Sequence, residues 1–308
     1  MDLGAVYSQI AILFLLIIGG YALGKLEIIT KEMVQNLTTF ILKISTPALI
    51  VGGMMIPRTP EKLESSRIML ISSFIIYAGA FILGKIVIKV IKVNSSDKGV
   101  FRFGMMFPNV GFMGFPVIQA LFGQDAIFYA AIFNIPFNIL VYTVGVALVN
   151  TKVENYKINM KTFINPGVIA SVIGFLIFVL SIPITPVIKD TVVLIGSTTT
   201  PISMLVIGSM LSVLPISTMF NNWRIYVVSI VRVFVIPLLV YYILKVILNV
   251  DNIMVLGIPV MLMAMPVATN AALIAQEYGG KPEIASQCIF ISTLMSIVSI
   301  PLLSLLFI

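Results

Sequence analysis

The sequence contains no histidine and one cysteine, Cys288, among 308 residues. One thiol cannot close an intramolecular disulfide, and the common zinc ligand sets cannot be assembled from it. Charge is sparse as well. Asp, Glu, Lys and Arg make up 10% of the chain, against roughly a quarter in a soluble domain. The twelve carboxylates lie in polar breaks or at the ends of apolar runs, with Asp125 and Glu277 nearest to an apolar interior. Without histidine or clustered carboxylates there is no general acid or metal site to build on, so an enzyme is not expected and no cofactor is implied.

What is plentiful is apolar surface, 59% of residues. A spanning helix needs about 20 mostly apolar residues. Such runs recur at 5–23, 34–55, 67–92, 100–122, 126–149, 166–184, 192–213, 224–248, 253–277 and 284–307. The chain therefore reads as an all-α polytopic membrane protein of ten transmembrane helices, with the lipid bilayer as solvent and no sizeable soluble domain. The first run follows Asp2 without a basic segment, and Ala22-Leu23-Gly24 is a poor signal-peptidase site, so a retained span is expected.

The net charge of +7 does not point to nucleic acid, because the cations sit in the breaks between apolar runs. With both termini outside, Lys25, Lys31, Lys85, Lys89, Lys92, Lys98, Arg102, Lys152, Lys157, Lys161, Arg224 and Lys281 face the cytoplasm, against Arg58, Lys62, Arg67, Lys189 and Lys245 on the outer face. The positive-inside rule favours that orientation in a plasma (inner) membrane.

An internal repeat is visible. Ser45-Thr46-Pro47, followed by an apolar stretch with glycine, resembles Thr199-Thr200-Pro201 and its sequel through Gly208. Pro116 and Pro266 are 150 residues apart, and Pro47 and Pro201 are 154 apart. The chain divides into a five-helix repeat at 1–149, a short cytoplasmic linker at 150–165 and a second five-helix repeat at 166–308. An odd number of spans per copy inverts the second copy, as in many secondary transporters. Proline and glycine are common in membrane helices, so each match alone is weak.

The fourth run carries Pro108, Gly111, Gly114 and Pro116 within nine residues, and the ninth carries Pro259, Pro266, Thr269 and Asn270. An interior proline removes a backbone bond and disfavours the helix by about 3 kcal/mol. Both runs should be broken near mid-membrane, with Pro47 and Pro201 marking further breaks. Broken backbone must be buried in protein or line a polar cavity. Half-helix N-termini after Pro116 and Pro266 suit a carboxylate. Asn109 and Asn270 either donate to that carboxylate or merely cap the broken ends. Arg232 and Lys43 lie well inside apolar runs with no acidic partner. Each either faces a cavity and attracts an anion, or snorkels, or bonds carbonyls freed by proline. Hydroxyls such as Thr46, Thr200 and Ser203 leave a sodium site open, and proton coupling is also open.

These residues resemble the auxin efflux carrier family of membrane transporters, which includes plant PIN carriers and bacterial permeases. The carrying motif is Pro108-Asn109-x-x-x-Met113-Gly114-x-Pro116, followed by Leu121-Phe122-Gly123. Asn165-Pro166, Pro201 with Gly208, Arg232 with Pro237, and Met265-Pro266-x-x-x-Asn270 running to Tyr278-Gly279 support it. The resemblance implies two inverted five-helix repeats in a bile-acid-symporter-like arrangement, with the fourth and ninth helices crossing at their breaks. It implies a scaffold from helices 1, 2, 6 and 7, a mobile part from helices 3–5 and 8–10, elevator-type alternating access and a homodimer. It makes Asn109 the substrate asparagine, and Pro116 and Pro266 the crossover prolines. Malate, malonate and auxin-like acids are the substrates it suggests. A passive anion channel, and a membrane sensor or scaffold that transports nothing, are the competing readings.

Overall fold

The computed structural model describes residues 3–150, 165–213 and 219–307. Nearly all of the predicted 150–165 linker, with Lys152, Lys157 and Lys161, lies outside the described residues. The described chain is helical: α1 Leu3–Lys25, α2 Lys31–Met54, α3 Pro60–Val90, α4 Lys98–Met106, α5 Val110–Phe122, α6 Ala126–Val149, α7 Pro166–Val179, α8 Pro186–Ser212, α9 Trp223–Ile247, α10 Ile253–Met263, α11 Ala271–Tyr278 and α12 Pro282–Phe307. Among the described residues, seven helices are long and apolar enough to cross a membrane, and α5, α7 and α10 are shorter apolar helices.

Several starts are set by a capping side chain. Thr30, Thr59, Asn165, Asn222 and Asn252 each accept a backbone N–H from the first turn they precede. Pro60, Pro166, Pro186 and Pro282 occupy the opening turns of α3, α7, α8 and α12, where the missing N–H would have no helical partner anyway. The cap at Thr59 also explains why α3 begins at Pro60 rather than at the expected 67. Its first turn is charged, which hides it from a search for apolar runs, yet Thr59 and Glu61 suit a helix N-terminus.

Not every proline breaks its helix. Pro47, Pro116 and Pro237 share one local design: a five-residue π turn (Ile41–Ser45, Val110–Gly114, Val231–Val235), one further residue, then the proline. The wider turn takes up the backbone around the ring, and the helix continues. The expected breaks at Pro47 and Pro116 are therefore corrected to π-turn accommodations. Pro259 lies inside a continuous α10, so it is not a break either. Pro201 sits in the first turn of Thr199–Ser212, just after α8 is interrupted at Thr198.

Two packing groups follow from small residues. The α1 helix lies against Thr199–Ser212 of α8 so closely that a Cβ on Gly208 would meet the Ile17 backbone, and one on Gly20 the Leu205 backbone. Thr46–Met54 of α2 packs on α7 and on the first part of α8. In the other group α3 packs on α4 and α6, and α12 on α9 and α11. Within the first group, Ser45 Oγ of α2 shares hydrogen bonds with Thr198 Oγ1 at 3.0 Å and Thr199 Oγ1 at 2.5 Å of α8.

Candidate functional site

The α4 helix stops at Met106 because Phe107 precedes a proline and is extended, with φ −108° and ψ 108°. In the second half of the chain α10 ends at Met263, and α11 begins only at Ala271. The two gaps meet. Asn109 N donates to Pro266 O at 2.8 Å, and Ala268 N donates to Phe107 O at 3.0 Å. This is a short antiparallel bridge centred on Pro108 and Val267. The Val267 N–H, which would otherwise be stranded, donates to Ser292 Oγ at 3.0 Å. Two prolines thus remove helical bonds, and the crossing replaces them in a place with no water to do so. Both half-helices that leave the crossing end on a glycine of positive φ, Gly123 at +84° and Gly279 at +81°, the second in the left-handed conformation of a helix C-cap.

Arg232 completes the crossing from α9. Its side chain is fully buried; Nε donates to Met265 O at 3.1 Å and Nη1 to Met105 O at 3.0 Å. In an unbroken helix Met105 O would accept from Asn109 N, but that N–H has gone to Pro266 O. Arg232 is therefore a structural cation that satisfies one carbonyl from each broken segment. It does not line the cavity described next, which corrects its expected place among the substrate contacts.

That cavity, of about 280 Å³, opens beside the crossing between α2, α5, α6 and α7. Its walls include Phe112, Phe115 and Phe137, and its polar groups come from Lys43, Thr46, Asn109, Asn134, Asn138, Tyr142, Asn165, Thr269 and Asn270. Lys43 is the charged side chain among the lining residues, and no carboxylate is among them. Four lining residues carry buried polar atoms without a partner among the described residues: Thr46 Oγ1, Asn134 Oδ1, Asn165 Nδ2 and Asn270 Oδ1. Buried polar atoms are rarely left unpaired, so a cluster of them calls for a solute or water. The Asn165 amide is fixed as a donor, because its Oδ1 already caps α7 by accepting from Val168 N at 2.9 Å. Asn270 bonds the Tyr142 hydroxyl. Neither Asn109 nor Asn270 caps its half-helix through its side chain, which removes the capping explanation for both.

Of the expected substrate contacts, Asn109, Thr269, Asn270, Thr46 and Lys43 come together in this cavity, along with the backbone-break residues Pro108 and Gly111. Gly114, Pro116, Pro266, Ser203 and Arg232 are not among the lining residues. A Cβ on Gly114 would lie 2.9 Å from Leu262, so this glycine admits α10 rather than a ligand. Pro266 acts through its carbonyl, and Ser203 Oγ donates to Thr200 O at 3.1 Å within α8. Sequence reasoning missed Asn134, Asn138 and Tyr142. Their spacing of four residues places them on one face of α6, a polar stripe inside an apolar run that could have been read as a cavity wall.

A multi-pass helical protein with a polar cavity where two interrupted helices cross belongs to the class of membrane transport proteins. The family model for membrane transport proteins matches residues 5–304, and the chain belongs to that family, the auxin efflux carriers. Comparison with curated proteins gave no match.

Proposed function

We propose that this chain is a secondary carrier for a small organic anion, a carboxylate such as malate, malonate or an auxin-like acid. The observation that carries the reading is the make-up of the cavity. Lys43 supplies the charge, Asn165 Nδ2 is a fixed donor, the Asn109 and Asn270 side chains do not cap their half-helices, and no carboxylate is among the described lining residues. The volume favours a small solute, since pockets for drug-sized ligands run to about 300–1,000 Å³.

The reading extends to ten membrane helices in two inverted five-helix repeats, if α4 with α5 and α10 with α11 each count as one interrupted span. Two contacts support it. Ser45 meets Thr199, and Pro108 bridges Val267; each joins segments that correspond in the two halves, as a twofold axis between the copies requires. The packing of α1, α2, α7 and α8 into one group supports a scaffold, with the other group moving against it in an elevator-type cycle. Family likeness supports a homodimer, and the cation count supports a plasma (inner) membrane protein with both termini outside.

Arg232 bears on coupling. Carbonyls at the ends of interrupted helices commonly hold the driving cation in coupled carriers. Here a tethered guanidinium takes two such carbonyls, Met105 O and Met265 O, which supports transport down the anion's own electrochemical gradient without sodium.

The test is thermal stabilisation of the purified protein by mono- and dicarboxylates, indole acids and amino acids, with and without sodium. Saturable stabilisation by one carboxylate, lost in Asn109→Ala and indifferent to sodium, is expected. No shift across the panel would refute an anion carrier. Conductance far above carrier turnover would make the pathway a channel.

A further inference from the structure

A second concavity, of about 410 Å³, shares no lining residue with the crossing cavity; it lies at the end of α3 and is lined by Lys85, Lys89, Lys92, Lys98 and Arg102 with Ile88 and Val93. Topology alone asks for cations near the cytoplasmic ends of spans; it does not ask five of them to converge on one hollow. Lys85 and Lys89 are four residues apart on α3, and Lys98 and Arg102 four apart on α4, so each pair occupies one helix face. None of the lining residues is acidic.

The nearby counter-charge is already committed. Asp97 accepts from Ser96 Oγ at 2.7 Å and pairs with Lys281 Nζ at 2.5 Å. The neighbouring Arg224 is a further cation, spent on the Ile91 and Lys92 carbonyls at 3.0 and 3.2 Å. Arg102 Nε is buried and has no hydrogen-bond partner among the described residues. The hollow thus holds five cations, one of them with a desolvated and unused donor, at the N-terminus of α4, where the helix dipole adds positive potential.

Its depth identifies the anion. Trp223, 56% exposed, lies under the Arg224 guanidinium at 5.2 Å, and an exposed tryptophan marks the membrane–water interface. Along α3, Ile75 and Ile82 are exposed apolar side chains, and Lys89 follows at the same seven-residue interval on that stripe. Apolar side chains that face lipid therefore lead directly to the hollow. We propose that it binds the phosphate of an anionic phospholipid whose acyl chains lie along the Ile75–Ile82 stripe. A phosphate diester offers several acceptor oxygens to the Arg102 and lysine donors.

The experiment titrates the full chain, in neutral detergent at constant ionic strength, with short-chain phosphatidylglycerol, with phosphatidylcholine of the same chains, and with inorganic phosphate. Melting temperature and native mass spectrometry report binding. Saturable stabilisation by phosphatidylglycerol alone is expected. Lys89→Gln with Arg102→Gln should raise its half-saturation roughly twenty-five-fold, from a contribution of about fivefold per cation near an anionic surface, while Lys62→Gln at the other end of α3 leaves it unchanged. Equal effects of phosphatidylcholine, or an unchanged double variant, would overturn the site. Equal stabilisation by inorganic phosphate would overturn the lipid as its source. Should the double variant fail to fold, the wild-type protein decides: half-saturation must rise steeply with sodium chloride, and a salt-independent value refutes the proposal.

Discussion

Arg232 Nη1 donates to the Met105 carbonyl at 3.0 Å, taking the acceptor that Asn109 N–H leaves behind when it turns to Pro266. Removing the guanidinium would strand Met105 O and Met265 O in a fully buried position. Each unpaired buried group costs about 1–3 kcal/mol. Arg232→Met should therefore lower unfolding free energy by about 2–6 kcal/mol, measured by chemical denaturation in detergent. Arg232→Lys should recover part of it, since one ammonium lacks the fork that reaches both carbonyls. In the folded fraction of Arg232→Lys, carboxylate affinity should stay within about threefold of wild type, because contacts outside the cavity contribute little to it. A fully stable Arg232→Met would show that the crossing holds without this cation.

Pro116 makes a different prediction from the one its sequence suggests. A proline that broke the helix would, on replacement by alanine, weld two halves together. Here the break lies at Phe107–Asn109, and Pro116 instead maintains the π turn Val110–Gly114. With alanine the turn is free to relax to α geometry, which rotates everything before it by about 100° relative to α5, one residue of a 3.6-residue turn. Asn109 and Gly111 would shift against the cavity wall. Pro116→Ala is expected to slow substrate exchange at least tenfold while leaving the melting temperature unchanged or raised. A lowered melting temperature with normal exchange would exclude this role.

The crossing was legible because its cause is local. Pro108 and Pro266 remove backbone donors wherever they sit, and lipid cannot replace them, so two interrupted segments had to meet something polar. Which proline does the breaking was not legible. Pro47, Pro116 and Pro259 look the same as Pro108 in sequence, and only the π turns, or the neighbouring intact bonds in α10, tell them apart. Arg232 illustrates the same limit. An unpaired cation in an apolar run could have faced a solute or a carbonyl, and the choice depended on Met105 and Met265 arriving from two other helices. Asn134, Asn138 and Tyr142 failed for a weaker reason: four-residue polar periodicity was present, and an apolar average concealed it.

The ion pair between Asp97 and Lys281 joins the α3–α4 connection to the start of α12. Burial alone would push the Asp97 carboxyl up; the bonds from Lys281 and Ser96, with the charges of Lys281 and Arg224, overcome it and hold the carboxyl below its ordinary 3.8. A depressed carboxyl stabilises the fold at every pH above its unfolded value, and that contribution is lost only as pH falls through the folded one. The link should therefore be constant from pH 5 to 8 and fade below about pH 4. Lys281 is half exposed, which limits the pair to about 1 kcal/mol. Asp97→Asn should lower stability by that amount equally at pH 5 and pH 8, and by progressively less as pH falls below the unfolded carboxyl's range and through the folded one. A difference that grew between pH 5 and pH 8 would contradict the assignment.

Asn165 separates structure from recognition within one side chain. Its Oδ1 caps α7, and its Nδ2 has no partner among the described residues at the cavity wall. Asn165→Ala removes both and should lower stability by about 0.5–2 kcal/mol through the lost cap. Asn165→Asp keeps a capping oxygen but turns the cavity donor into a second carboxylate oxygen, directly opposed to an anion. Its stability should match wild type, whereas affinity for a carboxylate should fall at least about tenfold, as expected for losing a bond to a charged group of about 1.5–3 kcal/mol. Binding that survives in Asn165→Asp would place the anion away from this wall. Binding that strengthens would reverse the sign of the cargo, because a cavity holding Lys43 and a new carboxylate is better suited to a zwitterion or a cation than to the anion inferred here.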